Sequence, residues 1–393
     1  MNPIENPLEN RIAPEIQPAL RETPTSVPAT EPFAAPAPDF EEYRGLHWVF
    51  IGGHGLRAGW SALIAYILYR ILVPILGAVA IELDPAIARS DFSPTVVLIG
   101  ELIPLLSILG AGALVALIER RRILDYNLTG PRRLVHFLGG LAAGFAALSA
   151  LIGGLAWGGW LHYGPVALSG PAIFKFGVLW AGAFLLVGFF EEGTFRCYLQ
   201  FTLTRGINFW WALSIVALTC MYLALTAKGN GVWGVYAVAL LGLPPCLLLH
   251  MKKAPGAAFW QAAWVTSTLF GYIHTGNNGE NWIGIFAAAA IGFVFCVSVR
   301  VTGSAWWAIG CHAAWDWAET YFYGAADSGN VATGHYLTTT PAGNALWSGG
   351  TDGPEGSLLV LGIILLLLAA LLAICGRGKP AAMTTQTGEL AAG

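Results

Sequence analysis

Residues 172–204 read AIFKFGVLWAGAFLLVGFFEEGTFRCYLQFTLT. Nineteen residues pass with Lys175 as their one charge before Glu191, Glu192 and Arg196 arrive inside the same apolar run. A helix needs about 20 apolar residues to cross a bilayer. This run is long enough, and its charges lie where a soluble core helix or a plain anchor would carry none.

The rest of the chain fits that reading. Charged residues make up 11% and hydrophobic residues 56% of 393, with 16 Trp, 49 Gly and a mean hydropathy of +0.62. Soluble domains carry roughly 25% charge, so composition excludes a soluble globule, a disordered chain, a collagen, a coiled coil and a small disulfide scaffold. Ten segments read as spans: 56–81, 95–118, 134–161, 172–204, 209–227, 232–250, 257–275, 282–302, 304–323 and 358–375. The runs are continuous, not short and alternating as in an outer-membrane barrel. The predicted fold is an all-α polytopic transmembrane bundle of about ten spans.

Loop charge predicts the orientation. With the N-terminus cytoplasmic, the inner loops hold Arg120, Arg121, Arg122, Arg132, Arg133, Arg205, Lys252, Lys253, Arg300, Arg377 and Lys379; the outer loops hold Arg89 and Lys228. Both termini are then cytoplasmic and the chain sits in the cell membrane. Residues 1–42 carry nine prolines, eight acids and two arginines, and read as a disordered tail with no cleaved leader. The organisation expected is that tail, N-terminal membrane helices over 43–173, a core over 174–323, an external polar loop over 324–357, a last span at 358–375 and a tail at 376–393. No basic stripe points to nucleic acid. The six cysteines form no CxxC pair, so neither disulfides nor a cysteine metal site is expected. Gly154 and Gly158 form a small-xxx-small pair able to admit a close helix neighbour, though glycine abundance alone explains such a pair.

Ionisable groups inside spans are costly and are functional candidates by default. Glu192 and Arg196 are four apart on one helix face and can pair, while Glu191 points about 100° away. They form either a buried pair that only locks helices or a base beside its support. His274 closes FGYIH at 270–274; His312 and Asp316 share a face in HAAWD at 312–316. That carboxylate can orient the imidazole, or both can bind a metal or a substrate oxygen. Together these groups suit activation of water. Ser304 is expected in a cytoplasmic turn; His47, His54, His162, His250 and His335 are expected in loop or interfacial roles.

EEGTFR at 191–196, FGYIH at 270–274 and HAAWD at 312–316, in this order and each in a hydrophobic span, resemble the CPBP family of CAAX proteases and bacteriocin-processing enzymes. The resemblance covers about 174–320. One departure is the 77 residues between Arg196 and His274, which two additional spans at about 209–250 would fill. A second and milder one is Asp316, where eukaryotic prenyl-protein processing members carry Asn, whereas Asp also occurs in the wider family.

The resemblance implies an intramembrane endopeptidase acting on a membrane-associated protein or peptide, perhaps lipidated. It implies that Glu191 activates water, Glu192 and Arg196 support it, His274 helps to hold or deprotonate the water, and His312 and Asp316 bind the carbonyl oxygen. Zinc held by Glu191, His274 and His312 and a metal-free glutamate mechanism are both open. The competing readings are a non-catalytic scaffold or immunity protein, and a proton-coupled transporter, against which no internal repeat is visible.

Overall fold

The structure is a computed structural model, described over residues 47–52, 55–85, 91–226, 231–277 and 279–376. The tails read at 1–42 and 376–393 lie outside those residues, Gly376 excepted, as do Arg89, Lys228, Arg377 and Lys379.

Helices fall on all ten predicted segments: α1 Ala58–Leu83, α2 Pro94–Ile118, α3 Arg133–Trp157, α4 Pro171–Glu192, α5 Phe209–Thr226, α6 Gly231–Met251, α7 Ala257–Ile273, α8 Trp282–Thr302, α9 Trp306–Asp316 and α10 Leu358–Cys375. The fold is thus an all-α membrane bundle. Six helices are long and apolar enough to cross a membrane by length and composition: α1, α2, α3, α4 with its continuation to Thr204, α8 and α10. Two of the other four are short or polar for visible reasons. Helix α7 has 17 residues, roughly 25 Å of helix, and carries the buried polar residues Gln261, Thr266, Ser267 and Thr268. The α-helical part of α9 has 11 residues and carries ionisable groups.

Two helices continue as π-helix. α4 runs into Gly193–Leu199 and then Gln200–Thr204, and α9 runs into Trp317–Phe322. Each π segment begins directly after a motif carboxylate, Glu192 or Asp316, and such widened turns recur at functional sites. The widening also leaves room for lateral bonds. Asn127 Nδ2 donates to the Arg196 carbonyl at 2.7 Å, which ties α4 to the loop after α2.

Glycines set the position of α9. A Cβ on Gly140 would strike the Trp307 carbonyl, one on Gly144 the Cys311 carbonyl, and one on Gly310 the Phe137 carbonyl. α3 and α9 therefore meet backbone to backbone. On the α4 side, a Cβ on Gly188 would come within 3.0 Å of the Ile309 carbonyl. Close approach through small residues is how membrane helices pack when lipid and core are equally apolar. Gly154 instead admits Leu359 of α10, and Gly158 faces the Trp160 ring.

α5 and α6 pack on each other, and α6 packs on α7, so the added pair lies between the first two motifs in sequence. The segment 324–357 is folded. Its β2 strand Thr339–Pro341 pairs antiparallel with β1 Leu161–Tyr163, and Thr333 N donates to the Phe92 carbonyl at 3.0 Å. Large apolar side chains such as Leu63, Ile71, Leu117, Trp157 and Ile374 face outward, as lipid-facing residues do. All six cysteines are free.

Candidate active site

Arg196 is the anchor. Its side chain and that of Glu192 are completely buried, with Nε and Oε2 3.2 Å apart and Nη1 donating to Oε1 at 3.3 Å. The guanidinium lies between two rings, 4.2 Å from the Phe270 centroid and 5.3 Å from that of Phe295. An Arg plane stacks on aromatic faces in this way, and Lys does not reproduce it. Gly292 makes the room, because a Cβ there would press on Arg196 Nη2 and the Phe270 ring.

Glu192 has a second partner. Its Oε1 is 2.9 Å from His312 Nδ1. An Nδ1–H donated to this carboxylate orients the imidazole and turns Nε2 toward Glu191 Oε2 at 3.8 Å and Asp316 Oδ2 at 3.4 Å. Of the openings left by sequence, orientation of His312 thus falls to Glu192 on another helix, while Asp316 sits at the opposite nitrogen. Glu191 Oε2 makes no hydrogen bond among the described residues.

His274 stands where α7 ends in a short 3-10 turn. Its Nδ1 lies 2.7 Å from the Phe270 carbonyl one turn back. A carbonyl only accepts, so Nδ1 carries the hydrogen, and in the neutral ring Nε2 is the acceptor. Phe270 thereby serves three groups: it stacks under Arg196, bonds His274 through its backbone and meets the His312 ring edge-on at 6.0 Å.

Glu191, His274, His312 and Asp316 line one cavity of about 240 Å³. The cavity brings together four of the six predicted residues, while Glu192 and Arg196 lie buried behind it. Sequence reasoning missed three carboxylates that line the same cavity: Glu101 on α2, and Asp327 and Glu355 from the segment after α9. Glu101 was discoverable by the rule used for Glu191, an ionisable residue inside a span. Asp327 and Glu355 carried no such signal, because they sit in a polar loop.

The Nδ1 hydrogen bonds of His274 and His312 leave both Nε2 atoms available, as in histidines that ligate a metal. Among the described residues no group of three or more His, Cys, Asp or Glu is already gathered as a metal site.

At the cavity mouth, outside the spans, lies a group of half-buried or buried carboxylates. Burial, and then the Asp352 charge, raises Glu280 to about 7. Burial raises Asp352 to about 7 although the Asn281 backbone N–H opposes it. Asp327 is also pushed up by burial, against a 2.7 Å hydrogen bond from Thr320.

Such an arrangement defines a polytopic helical membrane protein with a polar, carboxylate- and histidine-lined cavity. Residues 246–318 match the family described as Type II CAAX prenyl endopeptidase Rce1-like. The match contains His274, His312 and Asp316, and supports membership of the CAAX protease family that the three motifs resemble. No curated protein and no solved structure matches the chain.

Proposed function

We propose that the protein is an intramembrane endopeptidase that hydrolyses a peptide bond of a membrane-associated protein or peptide. The observation that carries this reading is the shared cavity of Glu191, His274, His312 and Asp316, with Glu192 held behind it by Arg196.

Glu191 takes the proton of the attacking water, helped by the lone pair of His274 Nε2. Positioned bases of this kind contribute about 10²–10⁴-fold. His312, oriented through Nδ1 by Glu192, presents Nε2 to the scissile carbonyl. When protonated it donates to the developing oxyanion, where a fixed donor in a water-poor site is most effective. Asp316, with Oδ2 3.4 Å from Nε2, is the partner that holds this nitrogen when no carbonyl is bound. Glu191 then passes its proton to the leaving amine.

The topology proposed with this function has ten spans, with both termini cytoplasmic and the bundle in the cell membrane. The test is cleavage of candidate membrane peptides by the wild type and by Glu191→Gln at equal expression, read by mass spectrometry. Products that appear with the wild type and vanish with the variant are expected; identical products from both remove the catalytic reading.

A further inference from the structure

The two ends of the bundle differ in charge and in access. One end gathers the loops 119–132, 205–208, 252–256 and 303–305, with Arg120, Arg122, Arg132, Arg205, Lys252 and Lys253 among them. It is closed beneath the site. Asn127 bonds the Arg196 carbonyl at 2.7 Å, Ala305 N donates to the Asn127 carbonyl at 2.9 Å, and Trp306 Nε1 donates to the Leu128 carbonyl at 2.9 Å. None of those loops contributes to the lining of the cavity.

The other end holds the start of α2, the end of α7 and the starts of α8 and α10. The cavity reaches this end, where its rim is formed by Phe92, Asn277, Asp327, Ser328, Asn330 and Glu355. Here the loops are knitted together: Gly329 N donates to the Asp352 carbonyl at 3.0 Å, and Asn281 N to Asp352 Oδ2 at 3.1 Å. Among the described residues the one Lys or Arg on this side is Lys175, in the first turns of α4, against Glu280, Asp327, Asp352 and Glu355.

Short loops rich in Lys and Arg stay in the cytoplasm during insertion. The basic, plugged end is then the inner one, and the rim faces outward. We infer that the cavity is filled from the extracytoplasmic side, so that its substrate is a peptide segment exposed at the outer face of the membrane, on a secreted or membrane-anchored polypeptide, and not a lipidated C-terminus displayed in the cytosol. This rests on the endopeptidase reading for what happens in the cavity, but the direction of access rests on the fold and the charge alone.

The experiment uses the full chain in intact bacterial cells, with a membrane-impermeant sulfonated maleimide as probe. Asn330→Cys at the rim is exposed, and Arg122→Cys at the basic end replaces a side chain that is 79% exposed; the wild type, with its six native cysteines, sets the background. Labelling of Asn330→Cys in intact cells, with Arg122→Cys unlabelled until lysis, is expected; the reverse pattern overturns the inference. In a second arm, a water-soluble peptide that the detergent-solubilised wild type cleaves and Glu191→Gln does not is offered to intact cells and to inverted vesicles. Cleavage by cells alone is expected, and cleavage by inverted vesicles alone overturns the inference. Should the solubilised enzyme cleave no peptide, the endopeptidase reading fails while the labelling arm still decides which way the cavity faces.

Discussion

Glu192 Oε1 lies 2.9 Å from His312 Nδ1, although the two residues are 120 positions apart. This contact joins the first motif to the third and makes Glu192 the hinge between the Arg196 anchor and the imidazole that faces the cavity. Several consequences of the structure can be measured.

Removing either partner of the buried pair leaves a charge with no solvent. Glu192→Ala and Arg196→Met are each expected to lower stability by about 3–5 kcal/mol, the range for a broken buried pair. Arg196→Lys should also fall short, because an ammonium cannot lie flat between Phe270 and Phe295. Thermal unfolding in detergent checks this. An Arg196→Met protein as stable as the wild type would mean that the pair is not an anchor.

Gly144→Val places side-chain carbon against the Cys311 carbonyl, next to His312. Overpacking of this kind costs about 1–3 kcal/mol, and the shift of α9 is expected to reduce cleavage further than the loss of stability explains. Gly153→Val, where a Cβ meets nothing within 4 Å, is the control. Equal activity in the two variants would show that the α3–α9 contact does not position His312.

The mouth should be most stable in acid. Glu280 and Asp352 release their protons at about 7 in the folded protein, and at roughly pH 4 in an unfolded chain. The raised values mean that the folded state binds protons more tightly. Its advantage is complete below about pH 4 and is lost as pH rises through about 7. Glu280 faces Asp352, His274 and Asp327 and receives a 3.0 Å hydrogen bond from Asn277. Hydrogen exchange across 324–357, corrected for intrinsic base catalysis, is expected to accelerate between pH 5 and 8, and less so in Glu280→Gln. Protection that grows with pH would refute the assignment.

Metal dependence is open to a direct test. The mechanism proposed above needs only Glu191, His274 and His312 themselves, so cleavage by the purified protein is expected to survive dialysis against a chelator, with substoichiometric zinc by elemental analysis. Activity lost on chelation and restored by zinc alone would require the cavity to rearrange around an ion.

Parts of this arrangement were legible early. Glu192 and Arg196, and His312 and Asp316, are neighbours because a helix repeats every 3.6 residues, and that holds wherever the helix sits. The apolar runs announce a membrane bundle, since stretches of that length and hydropathy have no other solvent. Glu101 carries the same signal as Glu191, an ionisable group inside a span, but no motif partner stands at helical spacing beside it. Asp327 and Glu355 were hidden more thoroughly, since a polar loop read from sequence does not say what it covers.

Sequence by itself determined the helices, their internal pairs and the uneven loop charge, because each depends on residues a few positions apart or on composition. Only the tertiary structure decided that α4, α7 and α9 gather around one cavity, that Glu192 orients His312, and that Gly140 and Gly144, not Gly154 and Gly158, carry the α3–α9 backbone approach. The physical reason is that in a bilayer an apolar side chain facing lipid and one facing a neighbouring helix are chemically alike, so hydropathy cannot say which face meets which partner, and the packed glycines and rings must.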